Sequence, residues 1–221
     1  MARPECLGRY LLRQEDCFPL GADTLDLAAF ATLRKGWTVY DLGCGSGALL
    51  LLLAQREPGL ALCGVERDEK AAQTARGNLK VNGLTGTVYT ADVMNCRSLL
   101  PAGRGNIVIS NPPYFSPARG TSGGPCRAEE TCTLPGLCAS AAYLLKNGGR
   151  FALVYPTERL PELFLSLSAA GLEPKRLRLI QHRRDCPPAA VLVEAVRQGR
   201  PGLSIQPVLI RTEPYREQGG I

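Results

Sequence analysis

The sequence predicts an α/β fold: a mostly parallel sheet with helices on both faces. Three observations predict it. Short apolar runs of strand length alternate with runs of helical length and composition from residue 37 to residue 196. Glycines and polar residues interrupt the pattern directly after strands, at 41–47, 66–67, 92–93 and 111–115. No internal repeat, heptad or long low-complexity tract competes with that reading. In such sheets the ligand site lies beyond the C-terminal ends of the strands, so those interruptions point to one crevice.

Each element follows from its residues. WTVYDLG (37–43) is a strand, short, apolar and ended by glycine, and GALLLLLAQRE (47–57) is a helix. ALCGVE (61–66) is the second strand. DEKAAQTARGNLKVNG (68–83) is a helix that Asp68 caps and Asn82-Gly83 stops. TVYTAD (87–92) and NIVISN (106–111) are strands. LPGLCASAAYLLKNGG (134–149) is a helix ending in a turn, and RFALVYP (150–156) is a strand. TERLPELFLSLSAAG (157–171) is a helix with a C-terminal glycine, and KRLRLIQH (175–182) and AAVLVEAV (189–196) close the sheet.

Composition bounds the class. The chain has 221 residues, 45% of them apolar, enough for one domain with a real core. We expect a single domain over 1–221 with a short N-terminal extension at 1–36. No apolar run approaches the roughly 20 residues of a membrane span. MARPECLGRY lacks the apolar stretch of a signal peptide, so a cytoplasmic location is expected. A net charge of +6 mildly favours an anionic partner such as RNA. Nine cysteines, odd in number and evenly spread, do not look like a disulfide framework, and most are expected reduced and buried. Cys126, Cys132 and Cys138 are separated by five residues each, wider than the spacing of zinc ligands, so no metal is expected.

The loop DLGCGSG (41–47) follows the first strand and opens a helix. Gly43, Gly45 and Gly47 let the backbone turn and approach a ligand closely. The spacing is G-x-G-x-G rather than the G-x-G-x-x-G of dinucleotide sites, which disfavours NAD. An acidic Asp41 just ahead suits a cationic ligand better than a diphosphate. This loop resembles motif I of the S-adenosylmethionine-dependent methyltransferases, whose cofactor carries an ammonium near a sulfonium. Glu66, with Arg67 beside it, ends the second strand, where a carboxylate can accept ribose hydroxyl protons. Asp92 ends the third, placed to meet an adenine amino group, with Val93 beside the ring.

The fourth strand ends at Asn111, and Pro112-Pro113-Tyr114-Phe115 follows. Prolines cannot donate to a sheet ladder and they stiffen the turn. That fixes where the Asn111 amide and the Pro112 carbonyl point. Both are acceptors, and a substrate NH2 can give one proton to each. A planar amine with a delocalised lone pair is a poor nucleophile; two rigid acceptors hold it and favour a pyramidal geometry. Tyr114 and Phe115 offer flat faces on which a flipped-out base stacks. NPPY resembles the amino-methyltransferases that act on planar nitrogen: N6 of adenine, N2 of guanine in ribosomal RNA, or the amide of a glutamine in release factors.

The wider resemblance is to the bacterial tRNA (adenine-N6)-methyltransferases of the valine-tRNA position-37 type. Phe18 and Asp23, within RQEDCFPLGADTLDLAAFA (13–31), match the family's N-terminal segment. Arg127 and Glu129 match an Arg-x-Glu after the Gly-rich stretch, and 171–183 and 197–203 look like its C-terminal half. Asn106 departs from an aspartate that commonly starts the fourth strand. The 40 residues ahead of Asp41 are too few for the helical domain of the release-factor enzymes, and 221 leave no room for a DNA target-recognition domain. The resemblance implies a Rossmann-like, seven-stranded class I methyltransferase sheet. It implies S-adenosylmethionine as cofactor, held by Asp41, Gly43, Gly45, Gly47, Glu66, Arg67, Asp92, Val93 and Asn111. Asn111, Pro112 and Tyr114 are the implied catalytic residues, and Pro113, Phe115, Arg119 and Arg127 the implied substrate contacts. The implied partner is tRNA. A protein glutamine, a ribosomal guanine, and a non-catalytic RNA-binding role stay open beside it.

Two further stretches have two readings each. SPARGTSGGP (116–125) is either a lid over substrate or a mobile loop. Lys175, Arg176, Arg178, Arg183 and Arg184 form part of an RNA-binding face or a solvated outer face. His182, the one histidine, reads as a surface residue.

Overall fold

Thr38–Leu42 is the central strand of the sheet, and the other elements are arranged around it. A computed structural model describes residues 4–14, 17–112 and 133–211. In chain order the elements are β1 (Glu5–Leu7), β2 (Tyr10–Leu12), α1 (Ala22–Phe30), β3 (Thr38–Leu42), α2 (Ala48–Arg56), β4 (Ala61–Glu66), α3 (Glu69–Val81), β5 (Gly86–Thr90), α4 (Cys96–Leu99) and β6 (Gly105–Ser110). Then follow α5 (Leu134–Leu144), β7 (Leu145–Pro156), α6 (Leu160–Ala169), β8 (Leu172–Gln181), β9 (Ala190–Arg197), β10 (Ser204–Ile205) and β11 (Leu209–Ile210).

The main sheet runs β5-β4-β3-β6-β7-β9-β8, with the two-residue strands β10 and β11 both pairing to β8. The expected seven-stranded sheet is therefore present and extended at one edge. Pairing is parallel from β5 through β7 and antiparallel on both sides of β9. Chain order reverses at β3, which lies between β4 and β6. A crevice opens at such a switch point.

Both faces of the sheet are buried, and alternate residues of each strand serve opposite faces. Val39, Ile107, Ile109 and Leu192 join one apolar layer with Leu27 and Phe30 of α1, Leu50 of α2 and Leu79 of α3. Tyr40, Val108, Phe151 and Val193 join the other with Leu137 of α5 and Leu163 of α6. The cap expected on α3 is present: the Asp68 carboxylate accepts the Ala71 N–H at 2.9 Å, and Gly83 at φ +67° ends the helix.

Three features depart from the sequence reading. The helix expected over 134–149 stops at Leu144, and β7 begins at once at Leu145. Leu145 pairs with Gly105, the register then shifts, and Arg150 pairs with Ile107, so Lys146–Gly149 form an irregular strand start rather than a helix end. Within the 1–36 extension, α1 packs on the sheet with Leu27, Ala28 and Phe30 buried. Its polar residues are matched by partners far along the chain, which no local pattern reveals. Third, Arg176 of β8 is bound into the chain, while Arg183 and Arg184 just beyond the strand are exposed. Arg176 donates to the Phe30 carbonyl and to Thr32 Oγ1, Lys175 Nζ to the Arg200 carbonyl at 3.0 Å, and Arg178 Nε to the Pro207 carbonyl at 3.0 Å. Asn106, the departure from the family's aspartate, accepts the Thr38 N–H at 3.0 Å through its side-chain oxygen, as an aspartate would.

Glu194 of β9 is fully buried and joins α1 to the sheet. It accepts the Thr32 N–H at 2.8 Å, the Thr32 hydroxyl at 2.9 Å and the Arg150 guanidinium at 2.6 Å, with Arg176 at 3.8 Å. Removing one partner of a buried charged network strands the others. Glu194→Ala should lower unfolding free energy by about 2–3 kcal/mol in urea denaturation. A change below about 0.5 kcal/mol would place this network among exposed ion pairs in effect.

Candidate active site

Four strand ends converge on the crevice. The N–H groups of Gly43 and Cys44 both donate to the Val65 carbonyl, at 2.8 and 3.1 Å, which lays the loop after β3 across the end of β4. Gly43, Gly45 and Gly47 have φ of +78°, +52° and +78°, a region L side chains avoid. A Cβ at Gly43 or Gly45 would meet nothing within 4 Å, so the backbone there faces open space. Gly47 serves packing as well, since a Cβ would sit 3.2 Å from the Ala75 Cβ of α3.

Glu66, at the end of β4, binds both neighbouring loops. One carboxylate oxygen accepts the Gly45 N–H and the other the Asp68 N–H, each at 2.9 Å. Arg67 is exposed beside it. Asp41 is 1% exposed, and its Oδ2 has no hydrogen-bond partner among the described residues. Burial, and then the Glu66 charge, push its carboxyl up from 3.8 to about 8. Asp92 follows β5, accepts the Met94 N–H at 2.8 Å and is half-buried; Val93 is buried next to it. The Ala91 N–H donates to the Glu66 carbonyl at 2.8 Å, which ties the third strand end to the second.

At the end of β6, the buried Ser110 hydroxyl donates to the Leu42 carbonyl at 2.7 Å. That bond sets Asn111 beside the glycine loop. The Asn111 Nδ2 donates to Thr24 Oγ1 of α1 at 2.9 Å, and Pro112 is buried. The structure thus gathers Asp41, Gly43, Gly45, Gly47, Glu66, Asp92, Val93, Asn111 and Pro112 at one end of the sheet. Pro113, Tyr114, Phe115, Arg119 and Arg127 lie outside the described residues, as do the 116–125 loop, Cys126 and Cys132.

Sequence reasoning missed three supports. Thr24 holds the Asn111 amide. Ser110 ties two strand ends. Asn78 of α3 is 1% exposed; its amide donates to the Ser46 and Arg13 carbonyls at 2.8 Å, and its oxygen accepts the Arg13 N–H at 2.9 Å. An asparagine on the apolar side of α3 was the one local signal available. Most of the described cysteines are buried, as expected. Cys44, Cys63, Cys96 and Cys138 are buried, and burial pushes Cys63 and Cys138 up to about 12. Cys6 is exposed, and Cys17 and Cys186 are partly so. Among the described residues there is no group of three or more His, Cys, Asp or Glu side chains that could hold a metal, and no helix long and apolar enough to cross a membrane.

The profile of the methyltransferase small domain matches residues 22–165, from α1 into α6. The chain belongs to that family. It is 34% identical over 167 residues to a Proteus mirabilis protein named tRNA1(Val) (adenine(37)-N6)-methyltransferase, covering 72% of this chain and 66% of that one. A Porphyromonas gingivalis protein of the same name is 31% identical over 200 residues, covering 84% and 78%. Among solved structures, an Agrobacterium tumefaciens protein described as a predicted O-methyltransferase superposes with a TM-score of 0.71 at 22% identity, covering 85% and 86%, and speaks for the fold.

S-adenosylmethionine is the cofactor of this methyltransferase, and the crevice fits it. A buried carboxylate oxygen lacking a partner suits an ammonium, and the open space at Gly43 and Gly45 admits a ligand against the backbone. The Asp41 shift has a measurable consequence. Unfolded, Asp41 titrates near 3.8; folded and without cofactor, near 8. Between those values the folded protein keeps a proton that the unfolded chain releases. Stability from this group is therefore full below about pH 4 and declines as pH rises toward about 8. Asp41→Asn should flatten the Tm–pH curve of cofactor-free protein between about pH 5 and 8 in scanning calorimetry. Curves of unchanged shape would contradict a raised Asp41.

Proposed function

We propose that this methyltransferase transfers the methyl group of S-adenosylmethionine to N6 of an adenine in tRNA. The observation that carries the reading is Asn111: it directly follows β6, lies beside the glycine loop of β3, and has one edge of its amide held by Thr24. The other edge, the carbonyl oxygen, then serves as an acceptor for an amine. The relatives named tRNA1(Val) (adenine(37)-N6)-methyltransferases support the choice of base and RNA.

Asp41 accepts the cofactor's ammonium, Glu66 its ribose hydroxyls and Asp92 its adenine amino group, with Val93 against the ring. Gly43, Gly45 and Gly47 leave room for it, and Arg67 and Asn111 flank it. When bound, the cofactor supplies an electrophilic methyl on a sulfonium. Asn111 and the Pro112 carbonyl each accept one proton of the substrate amine and direct its lone pair. Pro113 stiffens the turn, and Tyr114 and Phe115 stack on the base, worth about 1–3 kcal/mol per base. Arg119 and Arg127 meet phosphates. An asparagine is no base at neutral pH, so its work is positioning and electrostatic stabilisation, and the amine proton departs late to water.

The test is methyl transfer from labelled S-adenosylmethionine to hypomethylated bulk tRNA, ribosomal RNA and a release factor in parallel. Product is digested and the modified unit identified by mass spectrometry. N6-methyladenosine in tRNA alone is expected; label on a glutamine or on guanine would overturn the reading. Asn111→Ala should lower kcat at least about a hundredfold while S-adenosylmethionine still binds by calorimetry, and near-normal turnover would overturn the catalytic assignment. Glu66→Ala should weaken that affinity about tenfold, and equal affinity would remove Glu66 from the cofactor site.

A further inference from the structure

An asparagine amide has two edges of nearly equal shape and opposite chemistry. Its oxygen accepts and its nitrogen donates. Rotated by half a turn, Asn111 would present N–H groups to a substrate amine that itself donates. A site of this kind therefore needs something to hold that side chain in place. The Thr24 hydroxyl sits 2.9 Å from Asn111 Nδ2, across 87 residues of sequence. That contact ties the Asn111 side chain to α1.

The helix that carries Thr24 is itself fixed at both ends. At its N-terminal turn, Asp23 and Asp26 are both bound by Arg211, which follows β11; Arg211 donates twice to Asp26 Oδ2, at 2.7 and 2.9 Å, and once to Asp23. All three side chains are at least four-fifths buried, with Arg211 19%, Asp23 20% and Asp26 9% exposed. At its C-terminal end, Arg56 donates to the carbonyls of Ala28 and Ala31, and Arg176 to that of Phe30. These cations satisfy carbonyls that a helix end leaves open and oppose its dipole. A threonine on so constrained a helix holds its hydroxyl in one place relative to the sheet.

We propose that Thr24 is a positioning residue for methyl transfer: its hydroxyl, on the clamped helix α1, accepts from Asn111 Nδ2 and holds that side chain in place for the amine. This rests on the catalytic assignment of Asn111. Thr24→Val, Thr24→Ser and Asn111→Ala are compared with the parent protein on hypomethylated bulk tRNA. Thr24→Val keeps shape and loses the hydroxyl. It should lower kcat by about tenfold to a hundredfold, with the affinity for S-adenosylmethionine and Tm unchanged. Thr24→Ser should restore most of the lost rate. Parent-like kcat in Thr24→Val beside an inactive Asn111→Ala would overturn the proposal and leave the catalytic assignment standing. Full activity in Asn111→Ala would overturn both. A substrate-free readout judges the contact independently: the Asn111 side-chain NH2 protons should exchange faster with solvent in Thr24→Val than in the parent or Thr24→Ser by NMR. Equal exchange rates would overturn the proposal whatever the RNA assay gives.

Discussion

Burying a carboxylate with an oxygen left unpartnered costs free energy, and the fold sustains that cost at Asp41. The residue lies one position before the end of the central strand, between Gly64 of β4 and Ile109 of β6, and is buried. Its ionisation is opposed by burial and by the Glu66 carboxylate on the next strand. A cation arriving in the crevice relieves both. Below about pH 8 the empty protein therefore keeps Asp41 as a neutral carboxyl, and a positively charged ligand favours its ionised form. The β3 backbone, paired to β4 and β6, holds it there.

The same economy shapes the other strand ends. Glu66 spends both oxygens on backbone N–H groups of adjoining loops, so a candidate ribose acceptor is also the fastener of the glycine loop. Asp92 caps the turn at 93–95 with one oxygen. Ser110 ties β6 to β3. Each carboxylate oxygen offers more than one lone pair, so a structural bond does not exhaust it. Ligand contacts built on groups already fixed need little further ordering, which is the physical meaning of preorganisation here.

Much of this was legible in the chain. Strands that run short and apolar, a capping Asp68 and a stopping Gly83 announced their elements within a residue or two, because their causes are local. Asp41, Glu66, Asp92 and Asn111 could be placed at one crevice because strand ends in a parallel sheet share an edge. What stayed hidden depends on long-range partners. Nothing near Asp23 or Asp26 in sequence announces Arg211, and nothing near Thr24 announces Asn111. Arg176 looks like surface charge until the end of α1 is laid against it. The break at Leu144–Leu145 escaped because Leu-Leu continues a helix as readily as it begins a strand. The register with Gly105 decides it.

Whether one crevice seats both the cofactor and the amine it methylates is tested by a crystal structure of the protein with S-adenosylhomocysteine and adenosine. The cofactor ammonium should lie against Asp41 Oδ2, its ribose against Glu66, and the adenosine amine between the Asn111 oxygen and the Pro112 carbonyl. Adenosine bound elsewhere, or the Asn111 nitrogen edge turned toward the amine, would contradict it.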